Sequence, residues 1–259
     1  MTRVTTAFAA ALALILPIGR PLLIGLTPAI GIGAGLLTTH AAYAQNAIDL
    51  YNSGIDKSES GNLEGAIADF TKAIQINPNY ADAYNIRGNT KYDLEDYQGA
   101  IADYTTAIQI NPNDADAYSN RGTAKYDLED LQGAIADWTK AIEIYPRYAL
   151  AYYNRGLAKD NLKDYRGAIA DYTKAIEYNP NYAYAYSNRG NIKYELKDHL
   201  GAINDYTKAI EIDPDDAEYY INRGIALEIV GGLRSACRDW KKAVDLGDTR
   251  PIEWVRNQC

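Results

Sequence analysis

Apolar and small side chains recur every three to four residues along most of the chain, in short segments separated by polar turns. Residues 81–114 contain two such segments, formed by Ala83, Tyr84, Gly88, Tyr92 and Leu94 and then by Tyr97, Ala100, Ile101, Tyr104, Ala107 and Ile108. This spacing is typical of amphipathic helices. The turn Asn111-Pro112-Asn113 ends the second segment, because the residue before a proline disfavours helical geometry. The pattern predicts helix pairs and an all-α fold.

The helix pair is repeated along the chain without an insertion. An Ala-Ile pair and a proline each return every 34 residues, the prolines at Pro78, Pro112, Pro146, Pro180 and Pro214. Such a period is typical of solenoid proteins, in which each unit packs on its neighbours. We divide the chain into six units and a terminal cap, at residues 47–80, 81–114, 115–148, 149–182, 183–216, 217–250 and 251–259.

The repeated positions resemble the tetratricopeptide repeat (TPR) over residues 47–250. The third unit carries the family's bulky, small, aromatic and proline positions at Tyr118, Gly122, Ala134, Trp138, Ala141 and Pro146. The phrase Asn-Arg-Gly is similar to repeat arrays common in cyanobacterial proteins. The end units depart from the pattern, with Leu50 in place of the aromatic and Asp248 in place of proline. The resemblance implies a right-handed superhelical solenoid whose first helices line a concave, protein-binding surface.

The first 44 residues differ from the rest, because they carry no Asp or Glu and contain long apolar stretches. They end on Ala42-Tyr43-Ala44, which matches the small-residue pattern read by signal peptidases. We predict a signal peptide cleaved after Ala44 and export to the periplasm or, in a cyanobacterium, the periplasm or thylakoid lumen. An uncleaved membrane anchor is the alternative, although the apolar run 22–37 is shorter than the roughly 20 residues that a span needs.

Charge and residue types exclude several functions. The chain has 34 acidic and 26 basic residues, which argues against nucleic acid. After cleavage only His199 would remain as a histidine, and Cys237 and Cys259 lack metal-ligand spacing. Carboxylates recur in register with the repeat, whereas a catalytic acid needs unique surroundings. We therefore predict no catalytic residue, no cofactor and no metal site.

The two cysteines are predicted to pair at the C-terminal end of the solenoid. Cys237 takes a position that is isoleucine in the other units, and the tail that follows offers three apolar contacts and one helix cap, at Ile252, Trp254, Val255 and Thr249. A short capping helix there would bring Cys259 near Cys237. Export to an oxidising compartment then predicts a disulfide.

A basic pair and an aspartate recur in four consecutive units, as Arg87, Lys91 and Asp103; Arg121, Lys125 and Asp137; Arg155, Lys159 and Asp171; and Arg189, Lys193 and Asp205. They form either a basic ladder for an acidic ligand or an ion-pair network joining paired helices. We favour the network, because an aspartate accompanies each arginine, including Arg223 with Asp239. Whether each aspartate contacts the arginine of its own unit or of the next is left open.

The TPR resemblance implies that repeat positions 2, 5, 6, 9, 12 and 13 face the concave surface. Position 6 is asparagine in five of the six units, at Asn52, Asn120, Asn154, Asn188 and Asn222. This column resembles the asparagine ladder of O-linked N-acetylglucosamine transferase repeats. An amide both donates and accepts, so the column is predicted to hold an extended peptide backbone. The alternative is that these asparagines pack between adjacent first helices.

The other groove positions are acidic and aromatic and contain no lysine or arginine. We expect the ligand to contact Asp93, Asp127, Glu195, Tyr92, Tyr126 and Tyr194. The carboxylate clamp of chaperone-binding relatives is therefore absent. The expected partner is a neutral-to-basic protein or peptide, and membrane contact is expected only if the N-terminal segment stays uncleaved.

These observations predict a protein-protein interaction scaffold or assembly adaptor, not an enzyme. Two alternatives remain open: a self-assembling structural repeat protein, and a regulatory subunit of an enzyme.

Overall fold

The computed structural model describes the backbone of residues 32–259 and the side chains of residues 45–259. The prediction of a signal peptide falls largely on residues 1–31, outside the described part. The described residues form thirteen helices and no strand: α1 Ile32–Glu59, α2 Leu63–Ile76, α3 Ala81–Asp93, α4 Tyr97–Ile110, α5 Ala115–Asp127, α6 Leu131–Ile144, α7 Ala149–Asn161, α8 Tyr165–Tyr178, α9 Ala183–Glu195, α10 His199–Ile212, α11 Ala217–Ile229, α12 Leu233–Asp245 and α13 Ile252–Gln258. None of these helices is long and apolar enough to cross a membrane.

Each unit packs a first helix against a second through small residues, and the predicted all-α solenoid is confirmed. In the third unit, Ala134 and Ala141 are fully buried beside Trp138. A Cβ added to Gly122 would lie 2.9 Å from Trp138 Nε1, so only glycine lets the indole approach α5 so closely. Small residues at fixed positions therefore set the distance between the paired helices.

Side-chain caps define where the second helices begin. Asp130 precedes α6 and accepts a hydrogen bond from the backbone N–H of Gly133 at 3.0 Å. Equivalent caps precede four other second helices, at Asn62, Asp96, Asp164 and Asp198. Each side chain satisfies a backbone donor that has no partner within the helix. The last unit has Gly232 at this place and no side-chain cap.

The predicted C-terminal helix is present as α13, and Trp254 packs on Trp240 with ring centroids 5.3 Å apart. One detail of the prediction is wrong. Thr249 is not the cap, because Pro251 precedes the helix and the Thr249 carbonyl accepts from the Ile252 N–H within a turn. Ile252 is 38% exposed.

Cys237 and Cys259 form a disulfide that ties α13 to α12. Their Cα atoms lie 5.6 Å apart, within the range that the bond requires. Cys237 is buried and Cys259 is exposed, so the bond fastens the free end of the chain to the interior of the last unit.

Candidate functional site

First helices of neighbouring units contact one another, α3 with α5, α5 with α7 and α9 with α11. In a curved array of helix pairs, the helices nearest each other lie on the inner side. The first helices therefore line the groove in which the candidate residues were predicted.

The recurrent basic pair and aspartate form ion-pair networks, as favoured from the sequence. Arg121 donates from Nη2 and Nε to the two carboxylate oxygens of Asp137 at 2.6 and 2.9 Å, and Lys125 Nζ lies 2.8 Å from the same carboxylate. Each aspartate thus binds the arginine of its own unit. Arg121 also donates from Nη1 to Thr105 Oγ1 of the preceding unit at 3.1 Å, so the network links consecutive units.

The same bidentate pair recurs along the array, in Arg87 with Asp103, Arg155 with Asp171, Arg189 with Asp205 and Arg223 with Asp239. The first unit is built differently, because Ser53 replaces the arginine. Its Asp69 accepts hydrogen bonds from Lys57 and Ser53. The hydrogen bond from Lys57, then that from Ser53, lowers the pKa of Asp69 from 3.8 to about 2.

The lowered pKa predicts how acid affects the first unit. The contribution of the Asp69 carboxylate to stability is present above its ordinary pKa and is lost as the pH falls towards the folded-state value. Replacing Lys57 with Gln should therefore destabilise the protein at about pH 6 and should make little difference at about pH 2. Urea unfolding of both proteins across this range measures the difference. An effect that is equal at all pH values would contradict the assignment.

Three of the five predicted asparagines donate hydrogen bonds to the preceding first helix. Asn120 Nδ2 lies 3.2 Å from Asn85 Oδ1 and 3.1 Å from Asn89 Oδ1. Asn188 donates to the hydroxyl of Tyr153 at 3.1 Å. The third donor, Asn222, reaches Asn191 Oδ1 at 3.4 Å. Asn52 is exposed on α1 and Asn154 is half-buried on α7.

These bonds give the asparagines a role in holding neighbouring first helices together. The bonds use the amide nitrogens of the position 6 side chains. The position 9 amides that receive them, Asn89 and Asn191, were not among the predicted site residues. The sequence feature that could have identified them is the asparagine at repeat position 9 of the second and fifth units. Binding of a peptide backbone by the column stays a prediction.

Three predicted residues from different columns meet in one cavity. A cavity of about 350 Å³ lies between the second and third units and is lined by Asn89, Tyr92, Asp93, Tyr104, Asn120 and Thr123. A second cavity, of about 490 Å³, is lined by Tyr126, Asp127, Glu129, Leu131 and Asn161. Both cavities include predicted groove residues in their lining and are large enough for side chains of a ligand.

Tyrosines at position 12 join the groove residues of consecutive units. The Tyr92 hydroxyl donates to Asp127 Oδ2 at 2.5 Å, and Tyr126 Oη accepts from Asn161 Nδ2 at 2.7 Å. Burial, followed by the hydrogen bond to Asp127, raises the pKa of Tyr92. Tyr194 packs edge-on against His199, with ring centroids 5.1 Å apart. His199 is the first residue of α10.

The acids of the groove differ in their surroundings. Asp93, Asp127 and Glu195 are all exposed, and Asp127 in addition accepts a hydrogen bond from Tyr92. Asp160, an acid at groove position 12 of the fourth unit, is half-buried on α7. Burial and the nearby charge of Glu195 raise the pKa of Asp160. Its signal in the sequence was an acid at a position that holds tyrosine in the two preceding units.

The fold and the groove define a class of helical repeat protein that binds other proteins, and family models identify it. The model described as "TPR repeat" matches residues 57–94, 88–128, 122–160 and 190–231, and the model described as "Tetratricopeptide repeat" matches residues 149–182. The matches cover more than half of the chain. The chain belongs to the tetratricopeptide repeat family.

Solved structures support the same fold. The chain is similar to a MamA crystal structure, with 30% identity, a TM-score of 0.59 and coverage of 61% of this chain and 93% of MamA. YrrB, described as a TPR protein with an unusual peptide-binding site, is 22% identical and has a TM-score of 0.62. The match covers 73% of this chain and 98% of the YrrB chain. PilF of Pseudomonas aeruginosa is 19% identical and has a TM-score of 0.69. The match covers 85% of this chain and 98% of the PilF chain. A comparison with curated protein sequences gave no match. The resemblance to cyanobacterial arrays stays a prediction.

Proposed function

We propose that this protein is an exported, non-catalytic scaffold that binds an extended, neutral-to-basic peptide segment of a partner in its concave groove. Proteins of this family bind peptides or proteins. The observation that carries the charge preference is the separation of charge in each unit. The acids and tyrosines face the groove, while the arginines and lysines of the first helices are held by buried aspartates.

The arginines and lysines of the first helices matter because their positive charges lie near enough to oppose the negative charges of the groove carboxylates. Arg87 and Lys91 bind Asp103, and Arg121 and Lys125 bind Asp137, at 2.6–2.8 Å. The arginine side chains in these pairs are only 14–16% exposed. Each network keeps one net positive charge, because two cations share one aspartate, but that charge is held against an aspartate of the second helix. We therefore expect the groove acids to give the concave face a negative potential, which the low-dielectric walls focus.

The groove also offers contacts that do not depend on charge. The two cavities are walled by tyrosine rings and edged by asparagine amides. Such a combination suits side chains with apolar stems and backbone groups that need both donors and acceptors. YrrB, which has a similar fold, is described as having a peptide-binding site, and this supports a ligand of the same type here.

The proposal predicts that neutralising the groove acids will weaken binding of basic peptides only. The variant combines Asp93→Asn, Asp127→Asn and Glu195→Gln. Each exposed charge contributes roughly 0–1 kcal/mol, so we expect roughly tenfold weaker binding of basic peptides and little change for neutral ones. The preference should also shrink as salt rises. A peptide array at low and moderate salt, followed by titration of individual peptides, measures both effects.

A matched control removes the same number of negative charges, but from positions outside the groove. Glu143→Gln, Glu177→Gln and Glu211→Gln each remove an acid from an exposed lysine pair on a second helix. This control should retain the preference for basic peptides. Replacing Asn120, Asn154 and Asn188 with alanine should instead weaken basic and neutral ligands alike. Array binders enriched in Asp and Glu, or requiring an acidic C-terminus, would overturn the proposed charge of the ligand.

A further inference from the structure

A further cavity lies at the C-terminal end of the array, where α13 packs on the sixth unit. It has a volume of about 260 Å³ and is lined by Ile225, Glu228, Trp240, Trp254 and Gln258. The first three residues hold repeat positions 9, 12 and 24, which Asn89, Tyr92 and Tyr104 hold in the cavity between the second and third units. The two cavities therefore occupy the same place in the repeat, and positions 9 and 12 are predicted groove positions.

Helix α13 supplies the wall that the first helix of a following unit supplies elsewhere. In the cavity between the second and third units, Asn120 and Thr123 of α5 form that wall. In the terminal cavity it is formed by Trp254 and Gln258 of α13. The half-buried ring of Trp254 lies 5.3 Å from that of Trp240, measured between centroids, so two tryptophan rings border the cavity.

Glu228 is a carboxylate of this cavity without an ionic partner. At two other junctions, the position 12 side chain is hydrogen-bonded to position 13 of the next unit, as Tyr92 is to Asp127. No ion pair formed within residues 45–259 includes Glu228. Glu228 is exposed, and so is Gln258, the other polar residue of the lining. The cavity thus combines an accessible acid and amide with apolar walls.

The sixth unit also lacks the excess positive charge of the preceding units. In the second to fifth units, an arginine and a lysine share one aspartate. In the sixth unit Leu227 replaces the lysine, and Arg223 alone binds Asp239. Because Arg223 is the one basic residue of α11, the charge of Glu228 is not offset by an unpaired cation on its own helix.

The wall formed by α13 depends on the disulfide. The helix has seven residues, none of them buried, and Gln258 is followed directly by Cys259. Cys259 is bonded to Cys237 of α12, with the Cα atoms 5.6 Å apart. A helix this short is unstable by itself. The bond therefore holds Trp254 and Gln258 against the sixth unit.

We infer that this cavity, which we call the terminal pocket, binds one Lys or Arg side chain of the bound peptide and is kept formed by the disulfide. Tryptophan rings attract cations and also pack on aliphatic chains. The aliphatic stem would lie along Ile225 and the two rings, and the cationic end would bind the Glu228 carboxylate, with the side-chain carbonyl of Gln258 as a further acceptor. The inference rests on the proposed function and adds to it one position that recognises a single side chain.

Two peptide libraries test the terminal pocket without knowledge of the natural partner. Both are fluorescein-labelled, amidated nonapeptides with random uncharged residues around a fixed central position, which is Lys in one library and norleucine in the other. Norleucine keeps the aliphatic stem and lacks the charge. Fluorescence anisotropy should show about tenfold tighter binding of the Lys library to the native protein. Glu228→Gln should lower this ratio to less than about twofold and leave binding of the norleucine library unchanged.

Glu195→Gln is the matched control, because it removes one exposed acid from a predicted groove position that does not line the pocket. It should lower the ratio by less than about twofold. Equal losses in the two variants would show a diffuse field and overturn the terminal pocket while leaving the proposed function intact. Equal binding of the two libraries to the native protein would also overturn it.

Opening the disulfide should have the same effect as removing the acid. Reduction with a phosphine, or the change Cys259→Ala, should release α13 and lower the Lys to norleucine ratio to less than about twofold. Treating the Cys259→Ala variant with the same phosphine should change nothing further, which controls for other effects of the reductant. Full retention of the ratio after both treatments would overturn the inference that the disulfide keeps the pocket formed.

A readout that needs no peptide separates failure of the pocket from failure of the proposed function. Nα-acetyl-lysine methylamide should shift the indole N–H resonance of Trp254, assigned with Trp254→Phe, in the native protein and not in the Glu228→Gln variant. If neither library binds, the proposed function fails and this titration still tests the pocket. No shift, or an equal shift with Nα-acetyl-norleucine methylamide, would overturn the pocket.

Discussion

Replacing Asp137 with Asn will lower the free energy of unfolding by about 3 kcal/mol. The Asp137 side chain is only 5% exposed and receives two hydrogen bonds from Arg121 and an ion pair from Lys125. An amide has nearly the same shape, but its nitrogen would face a guanidinium donor. Two poorly hydrated cations would also lose their counter-charge.

Chemical unfolding of the Asp137→Asn variant, followed by the helical circular dichroism signal, measures this effect. Glu143→Gln is the control on the same helix, because Glu143 pairs with Lys140 where both side chains are more than half exposed. That change should alter stability by less than about 1 kcal/mol. Comparable losses in the two variants would show that burial of the Asp137 network contributes little.

Removing the disulfide will lower stability by a similar amount, about 3 kcal/mol in the chain-entropy model. The bond joins residues 22 positions apart and fastens α13 to the last unit. Cys259→Ala is the better variant, because Cys259 is exposed whereas Cys237 packs in the interior. The change therefore removes the crosslink without creating a cavity.

The effect should be concentrated at the C-terminal end, since each solenoid unit contacts only its neighbours. Hydrogen exchange should accelerate first in α13 and α12, where Trp254 covers Trp240. Reduction of the native protein should reproduce the result and should not further affect Cys259→Ala. Unchanged stability and exchange after both treatments would show that packing alone holds the cap.

The sequence predicted the fold well because each unit repeats the same local choices. The spacing of Gly122, Ala134 and Trp138 indicated a tight helix pair, and the structure packs these residues together. The fixed separation of Arg121 from Asp137 also favoured an ion-pair network before any contact was known. A mutually supporting pattern of this kind leaves few alternative folds.

The groove residues were harder to interpret, because their partners come from other units. Asn120 was identified as a groove residue, but its bonds to Asn85 and Asn89 depend on how two units are set against each other. Asp160 resembled one acid among many until its burial and the charge of Glu195 distinguished it.

The sequence by itself determined the helix pairs, their period, the small residues that let them pack and the sign of charge in each column. These features depend on contacts within a unit, whose spacing the 34-residue period makes visible. Only the tertiary structure decided which aspartate each arginine binds, which asparagines are engaged and where the acids are unpaired. Those outcomes depend on distances and burial between units, and a linear pattern of residue types does not contain them.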